Sequence, residues 1–291
     1  MKRVLKVLLF LILASILYSF GISTYENVKV NNMITDFKKR GVLNEEKSTD
    51  KRKYYEVESD VFLDTETYIE DEDTFYLGNV GDIVVTRESP FPNIPFIHQF
   101  ISYYFGGHAA MITGKNKVLE IAGFPDPGEN MLQYIFHQVK YDEDNNPTHN
   151  FTGAVIFESS NYFLTTNRVS HDKYGQYYRK KLITLRVNSK EADRLEAVKK
   201  FEELQRKQVI YNYMFFLDTK EKYYCTDIMS RIYADIKDDN GKSKFSLNDD
   251  GFITSVNDLI LSKSTMISNY FEVDKDGVEH IYYLVNQKNQ G

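Results

Sequence analysis

Cysteine is almost absent from this chain: its 291 residues contain one, Cys225. A single thiol excludes an intramolecular disulfide and any zinc site built from several cysteines. The six histidines form no i, i+4 pair on a predicted helix, and no glycine-rich phosphate-binding loop is present. We therefore predict neither a metal site nor another cofactor.

Positive charge is also in short supply, with 36 Lys and Arg against 42 Asp and Glu and a net charge of −6. Because nucleic-acid binding needs a concentrated basic face, we exclude a nucleic-acid partner. Tryptophan is missing, but Tyr and Phe raise the aromatic content to 14%, and 42% of the residues are hydrophobic. This composition is sufficient for a real core, either in one sizeable domain with extensions or in two small ones.

The first 23 residues, MKRVLKVLLFLILASILYSFGIS, combine a basic start with an apolar stretch of 16 residues that ends at Ile22. That length lies between a signal-peptide core and a membrane-spanning helix. Residues 1–23 are therefore predicted to be a signal anchor or a cleaved signal peptide, and we favour the anchor. The basic residues Lys2, Arg3 and Lys6 would keep the N-terminus in the cytoplasm and place the remainder outside the cell membrane.

Residues 24–76 are polar, end in an acidic run, and are interpreted as a stalk. The sequence of residues 77–290 is typical of a folded domain, because apolar segments with the spacing of strands and helices recur along it. Strand-like segments come first, in the order GDIVVTR, HAAMITG, KVLEIAG, GAVIFES and KKLITLRV. A helix follows near residues 188–208, where Asn188 and Glu191 have capping-box spacing. Strands followed by helices predict an α+β fold in which an antiparallel sheet packs with helices.

Cys225 lies in KYYCTDIMSRIY, where the apolar residues after it recur at helical spacing. This places the thiol in the first turn of an amphipathic helix, where unpaired N–H groups and the helix dipole favour a thiolate. A free cysteine is nevertheless more often a small buried hydrophobe. Only a partner histidine makes it a candidate nucleophile.

His108 supplies such a partner, because it opens the strand HAAMITG, and Glu120 lies in the next strand, KVLEIAG. A three-residue loop at 114–116 would set Ala110 opposite Glu120 and bring the carboxylate onto the face of His108. A two-residue loop would instead place Glu120 on the opposite face. With Cys225, these side chains would form the thiol, imidazole and orienting carboxylate of nucleophilic catalysis.

The order GDIVV, GGHAAMITG, VLEI and YYCTDIM resembles the circularly permuted papain-like superfamily, in its YiiX-like branch of NlpC-type cell-wall hydrolases. In that branch histidine precedes cysteine, and lecithin:retinol acyltransferase is a more distant relative. The resemblance covers about residues 77–270. It implies that Cys225 is the nucleophile, His108 the general base and Glu120 the orienting carboxylate, while Asp82 matches a structural aspartate.

Four tyrosines are candidates for the pocket wall: Tyr211, Tyr213, Tyr223 and Tyr224. Plain core packing is the commoner role of such residues. His98, upstream in an aromatic segment, is a competing base without an argument from a strand face.

These features predict a membrane-anchored, extracytoplasmic cysteine amidase or peptidase that forms an acyl thioester. The resemblance implies cell-wall peptides or N-acyl amino acid derivatives as substrates. One alternative is a thiol acyltransferase or esterase on lipid substrates, since the apolar segment FPNIPFIHQFISYYF could admit an acyl chain or simply cover the sheet. A non-catalytic binding domain is another. An apolar tunnel at the site would favour the lipid enzyme, and a site whose three side chains cannot meet would favour the binding domain.

Overall fold

The computed structural model describes residues 2–69, 77–89, 91, 94–159, 180–215, 220–248 and 253–287. The helices are α1 Lys2–Lys39, α2 Ile97–Tyr104, α3 Met131–Phe136, α4 Glu191–Arg206, α5 Cys225–Ala234 and α6 Val256–Leu261. The strands are β1 Val42–Leu43, β2 Arg52–Glu58, β3 Ile83–Thr86, β4 His108–Gly114, β5 Lys117–Ile121, β6 Ile156–Ser159, β7 Lys181–Val187, β8 Ile210–Tyr211, β9 Lys222–Tyr223, β10 Thr265–Val273 and β11 Glu279–Val285.

Nine of the strands in the described part of the chain form one sheet, in the order β1-β2-β11-β10-β7-β3-β4-β5-β6. Its neighbours pair antiparallel except β2 and β11, which are parallel. The short strands β8 and β9 form a separate parallel pair. The chain is thus a mixed α/β protein with a large, mostly antiparallel sheet, and this confirms the predicted combination of sheet and helices at that level.

Strand alternation divides the core between the two faces of the sheet. On β4, Ala109 and Met111 belong to the larger hydrophobic cluster, together with buried residues of α4, α5 and α6. Ala110 and Ile112 belong to a second cluster on the other face. The helix α5, whose first residue is Cys225, therefore packs against the strand that begins with His108.

The long helix α1 has two distinct parts. Its N-terminal part exposes apolar side chains, and the helix is long and apolar enough to cross a membrane. Farther along, Val30 and Phe37 are buried in the larger hydrophobic cluster, and α1 contacts α6. The helix continues through residue 23, the predicted end of the anchor or signal segment, and joins the folded domain without a break.

Residues 24–76, predicted to be a stalk, contribute instead to the fold wherever they are described. Their first part completes α1, and β2 pairs with β11 in the sheet and buries Tyr54 and Val57. These two buried residues are three positions apart. A strand is recognised from apolar residues at every second position, so the sequence pattern does not predict β2. Residues 70–76 of the acidic run lie outside the described residues.

The start of α4 also differs from the predicted capping box. The helix begins at Glu191 after Lys190, and no side chain of its own chain segment caps it. The carboxylate of Asp64 accepts a hydrogen bond from the Glu191 N–H and pairs with Arg194 at 2.7 Å. An acidic group from the predicted stalk therefore stabilises the positive end of this helix.

Candidate active site

Cys225 is the first residue of α5, as its sequence context predicts. The preceding residue, Tyr224, has extended backbone, and its hydroxyl accepts a hydrogen bond from the Thr254 N–H. The next residue, Thr226, donates its hydroxyl to the Thr254 carbonyl at 2.6 Å. These bonds fix the start of the helix against the loop before α6, so the backbone around the thiol is held firmly. Cys225 as a whole residue is half-buried.

His108 begins β4 directly after a tight bend at Gly106 and Gly107. Gly106 has a φ of +80°, which favours glycine. A side chain at Gly107 would lie 1.9 Å from the Glu88 carbonyl oxygen, so the two backbones can approach only because that residue is glycine. The bend lets Thr86 of β3 pair with His108 and sets the imidazole at the end of the sheet, beside α5.

The hairpin between β4 and β5 brings Glu120 to His108. Met111 pairs with Leu119, which is the register expected from the sequence. The loop has two residues rather than the predicted three, but a bulge at Thr113 supplies the missing residue and restores the register. Nε2 of His108 lies 2.8 Å from Oε2 of Glu120, whose side chain is fully buried. Because Nε2 faces the carboxylate, the other ring nitrogen, Nδ1, is the one available to the thiol.

The positive charge of His108 and the negative charges of Cys225 and Glu120 stabilise one another, although the site is buried. Burial lowers the pKa of His108, but the Cys225 sulfur and the Glu120 carboxylate outweigh it and raise that pKa to about 10. Burial raises the pKa of the Cys225 thiol, but the His108 imidazolium and the N–H groups of Ala109 and Thr226 lower it below its usual value. Each charge thus stabilises the other, and the shifts of both pKa values favour a thiolate–imidazolium pair over a neutral pair.

Ser159 is a member of the site that the sequence analysis missed. Its hydroxyl, at the end of β6, donates to Oε1 of Glu120. The carboxylate thus has a hydrogen-bonding partner on each oxygen, and these bonds fix its orientation toward the imidazole. The segment GAVIFES was predicted as a strand, but nothing in the local pattern distinguishes its serine from any other polar residue at a strand end.

An apolar cavity of about 660 Å³ opens beside the thiol, with Cys225 and His108 in its wall. This volume is typical of a site for a small ligand. Most of the remaining lining is aromatic or aliphatic: Phe91, Phe96, Ile97, Phe100, Ile101, Phe105, Phe124, Met131, Tyr211, Tyr213, Phe215, Tyr224 and Ile253. The site is therefore an apolar pocket rather than a polar cleft.

Three of the four candidate tyrosines line this cavity: Tyr211, Tyr213 and Tyr224. The rings of Tyr211 and Tyr213 lie 4.9 Å apart between centroids. Tyr223 does not line it, and its ring instead lies 3.9 Å from the Arg231 guanidinium, in cation–π contact. Successive side chains of an extended segment point in opposite directions. Tyr223 and Tyr224 are neighbours in such a segment, so only one of them, Tyr224, faces the cavity.

The competing base, His98, lies on α2 and is not part of the cavity wall. Its Nδ1 is 2.9 Å from the hydroxyl of Ser89. No contact among the described residues joins His98 to Cys225, so the geometry favours His108 as the partner of the thiol.

Asp82 lies at the other end of β3 from the residue that pairs with His108. Its carboxylate is fully buried and binds Arg186 through two bonds of 3.0 Å, and it also accepts the Asn79 N–H at 2.9 Å. Arg186 is equally buried and donates to the Thr65 carbonyl. These contacts hold Asp82 in a buried ion pair, and no contact within the described part of the chain joins it to the thiol.

Comparison of the chain with models of protein families, with curated proteins and with solved structures finds no match. The resemblance to permuted papain-like enzymes stays a prediction, and the chemistry has to be argued from the geometry of the site.

Proposed function

We propose that this chain is a cysteine acyl-transfer enzyme with a permuted papain-like fold, and that its substrate carries a long apolar acyl group. The observation that carries the proposal is the coincidence of two features. A buried Glu120 holds His108 beside Cys225, and the thiol of that pair faces an apolar cavity. The first feature supports nucleophilic catalysis and the second selects the substrate.

In the proposed reaction, the Cys225 thiolate attacks the carbonyl carbon of the substrate and a C–S bond forms. The negative charge that develops on the carbonyl oxygen is stabilised by backbone N–H groups at the start of α5, which have no partner within the helix. The His108 imidazolium donates its proton to the leaving nitrogen or oxygen as the bond to carbon breaks. An acyl thioester on Cys225 and a neutral His108 remain.

A water molecule or an acceptor alcohol or amine then resolves the thioester. Neutral His108 takes a proton from this second nucleophile while its oxygen or nitrogen bonds to the carbonyl carbon. The C–S bond then breaks, the acyl product leaves, and the thiolate–imidazolium pair is restored. Glu120 keeps the imidazole oriented and favours its charged form throughout the cycle. The proton that the ring gives to the leaving group in the first step is thus replaced in the second step by one from the second nucleophile.

The lining of the cavity distinguishes between the predicted substrate classes. Cell-wall stem peptides are polar and would leave buried hydrogen-bonding groups unmet against phenylalanine side chains. A fatty acyl chain fits such a wall, whether the bond to be cleaved is the ester of a lipid or the amide of an N-acyl amino acid. The meeting of all three side chains also weighs against a non-catalytic binding domain. With α1 as an anchor and basic residues at its start, the domain would act outside the cytoplasm.

The test uses the full-length protein in detergent micelles with paired lauroyl and acetyl esters of one fluorescent alcohol, and with N-lauroyl amino acid amides. We expect lauroyl substrates to be cleaved much faster than acetyl ones. Intact-mass measurement should detect a lauroyl adduct on the parent protein. The Cys225→Ser variant should keep its fold and lose both the adduct and turnover, because its hydroxyl is a poorer nucleophile than a thiolate.

Undiminished turnover in the Cys225→Ser variant would refute the assignment of the nucleophile. Equal rates with acetyl and lauroyl esters would leave the chemistry standing but contradict the proposed substrate class. A folding control comes from circular dichroism of both proteins.

A further inference from the structure

Helix α2 is an unusual element because it is apolar and yet has no buried residue. Its sequence, IHQFISYY, contains no Asp, Glu, Lys or Arg. Ile97 and Phe100 are exposed, and the residue before the helix, Phe96, is 86% exposed with a φ of +67°. A bulky residue in the left-handed region is strained as well as exposed to water. The exposed apolar side chains of this helix lie against water.

The short helix α3 has the same character on the other side of the cavity. Its sequence, MLQYIF, also contains no charged residue. Tyr134 points into the protein and is fully buried, whereas Met131, Leu132 and Phe136 are exposed. Met131 and the exposed side chains of α2 line the same cavity, so the two helices border its opening. We call the exposed apolar residues of α2 and α3, with Phe96, the rim.

Helix α2, which carries part of the rim, contacts the apolar part of α1. The ring of Phe20 stacks on the ring of Tyr103 in α2, with centroids 5.5 Å apart. The hydroxyl of Thr24 bonds to the hydroxyl of the same tyrosine, and Asn27 donates to the Tyr103 carbonyl at 3.0 Å. These contacts join α2 to α1 at the level where the exposed apolar stretch gives way to the part that packs on the domain.

We propose that the rim is a membrane-docking face, which lies in the surface of the bilayer that α1 crosses, so that the cavity beside Cys225 opens toward lipid. The physical reason is that the apolar part of α1 contacts α2 through the Phe20 ring, and that exposed apolar residues of α2 line the cavity. Helices that present large apolar residues on one face bind in the interfacial layer of a bilayer with that face buried. Docking would cover the rim and let an acyl chain pass from the membrane into the cavity without crossing water.

The docking face does not depend on the proposed chemistry, and the experiment therefore measures depth rather than turnover. The full-length chain carries the change Cys225→Ala, so that one introduced cysteine is the only site for a fluorescent label. Labels are placed at Phe100→Cys in α2, at Leu132→Cys in α3, and at Lys275→Cys as a control in the exposed turn between β10 and β11. Each protein is reconstituted into phosphatidylcholine nanodiscs.

Lipids with a nitroxide near the headgroup should quench the labels at Phe100 and Leu132 several-fold more than the label at Lys275. Aqueous iodide should show the reverse order. Quenching by iodide to the same extent at all three positions would overturn the proposal. Protection from iodide without nitroxide quenching would indicate that a second copy or another protein covers the rim, and would overturn it too. Since all three proteins lack the thiol, the result is independent of whether Cys225 is a nucleophile.

Discussion

Replacing Glu120 by glutamine would measure how strongly the buried carboxylate supports the imidazolium. Glutamine has the same shape, and its amide can still accept from His108, while the Ser159 hydroxyl can turn to accept from the amide nitrogen. The change therefore removes the charge and keeps the hydrogen bonds. We expect the pKa of His108 to fall from about 10, since the carboxylate is one of the groups that raise it.

The size of the fall can be bracketed from the geometry. Its lower bound is the difference between a charge-assisted and a neutral hydrogen bond, about 1 kcal/mol or about one pKa unit. Its upper bound is the Coulomb energy of two unit charges about 4 Å apart at an effective dielectric constant of about 20, which is about 4 kcal/mol or about three pKa units. The variant should therefore lose the imidazolium proton about one to three pH units earlier than the parent.

The assay is the rate of alkylation by iodoacetamide as a function of pH, followed by intact mass. Because the chain has one cysteine, modification of the whole protein reports on Cys225 alone. The rate rises when the thiolate–imidazolium pair forms and changes again when His108 loses its proton, since a thiolate without its positive neighbour is more nucleophilic. The second change marks the pKa that Glu120→Gln should lower.

Ser159→Ala is the matched control, because it removes a hydrogen bond to the same carboxylate and keeps the charge. Its effect on the upper pKa should be less than about one unit. An unchanged upper pKa in a folded Glu120→Gln protein would refute the reasoning that the carboxylate stabilises the imidazolium.

Two further expectations concern stability. Asp82→Asn should lower the free energy of unfolding in urea by about 3–5 kcal/mol, because it leaves Arg186 buried without its charge partner, and it should leave the alkylation profile unchanged. The second concerns the Cys225–His108 pair, in which the folded state lowers the pKa of the thiol and raises that of the imidazole to about 10. Above pH 9 the unfolded chain loses its thiol proton while the folded pair keeps the imidazolium to about pH 10, so the pair's contribution should decrease there. Urea unfolding of the parent and of a Cys225→Ala, His108→Ala variant checks the second expectation, and a contribution that rises above pH 9 would contradict it.

The local patterns of the sequence were sufficient to place the three side chains of the site, but not to explain their approach. The positions of His108 at a strand start and Cys225 at a helix start follow from periodicity and from the glycines before β4. The facing of Glu120 was predicted from a three-residue loop, whereas the structure reaches the same register through a shorter loop and a bulge at Thr113. A three-residue loop and a two-residue loop with a bulge give the same pairing register. The residue pattern alone cannot distinguish them, because a bulge offsets a change of one residue in loop length.

Contacts between distant segments account for what the sequence could not reveal. Strand β2 pairs with β11, which lies more than 220 residues later in the chain. The local sequence of neither segment therefore predicts the pairing. The same is true of Asp64, which caps α4 from another part of the chain. The apolar segment before His108 was open to two interpretations, a cover for the sheet or a wall that contacts an acyl chain. The position of the cavity, which this segment lines, favours the second. The strand pairing, the helix cap and the position of the apolar segment all depend on contacts between distant parts of the chain rather than on local secondary-structure propensity.

Helix α1 enters the hydrophobic core without a linker, so its apolar part and the domain are joined by one continuous helix. Val30 and Phe37 of α1 share one cluster with Ile228 and Met229 of the helix that begins with Cys225. A flexible stalk would let the thiol sample a wide volume above the membrane. With α1 in a bilayer, the site would instead have a fixed height and tilt, and the proposed lipid substrates would reach it by diffusion in two dimensions. Its effective substrate concentration would then be a surface density, set by membrane composition rather than by the surrounding solution.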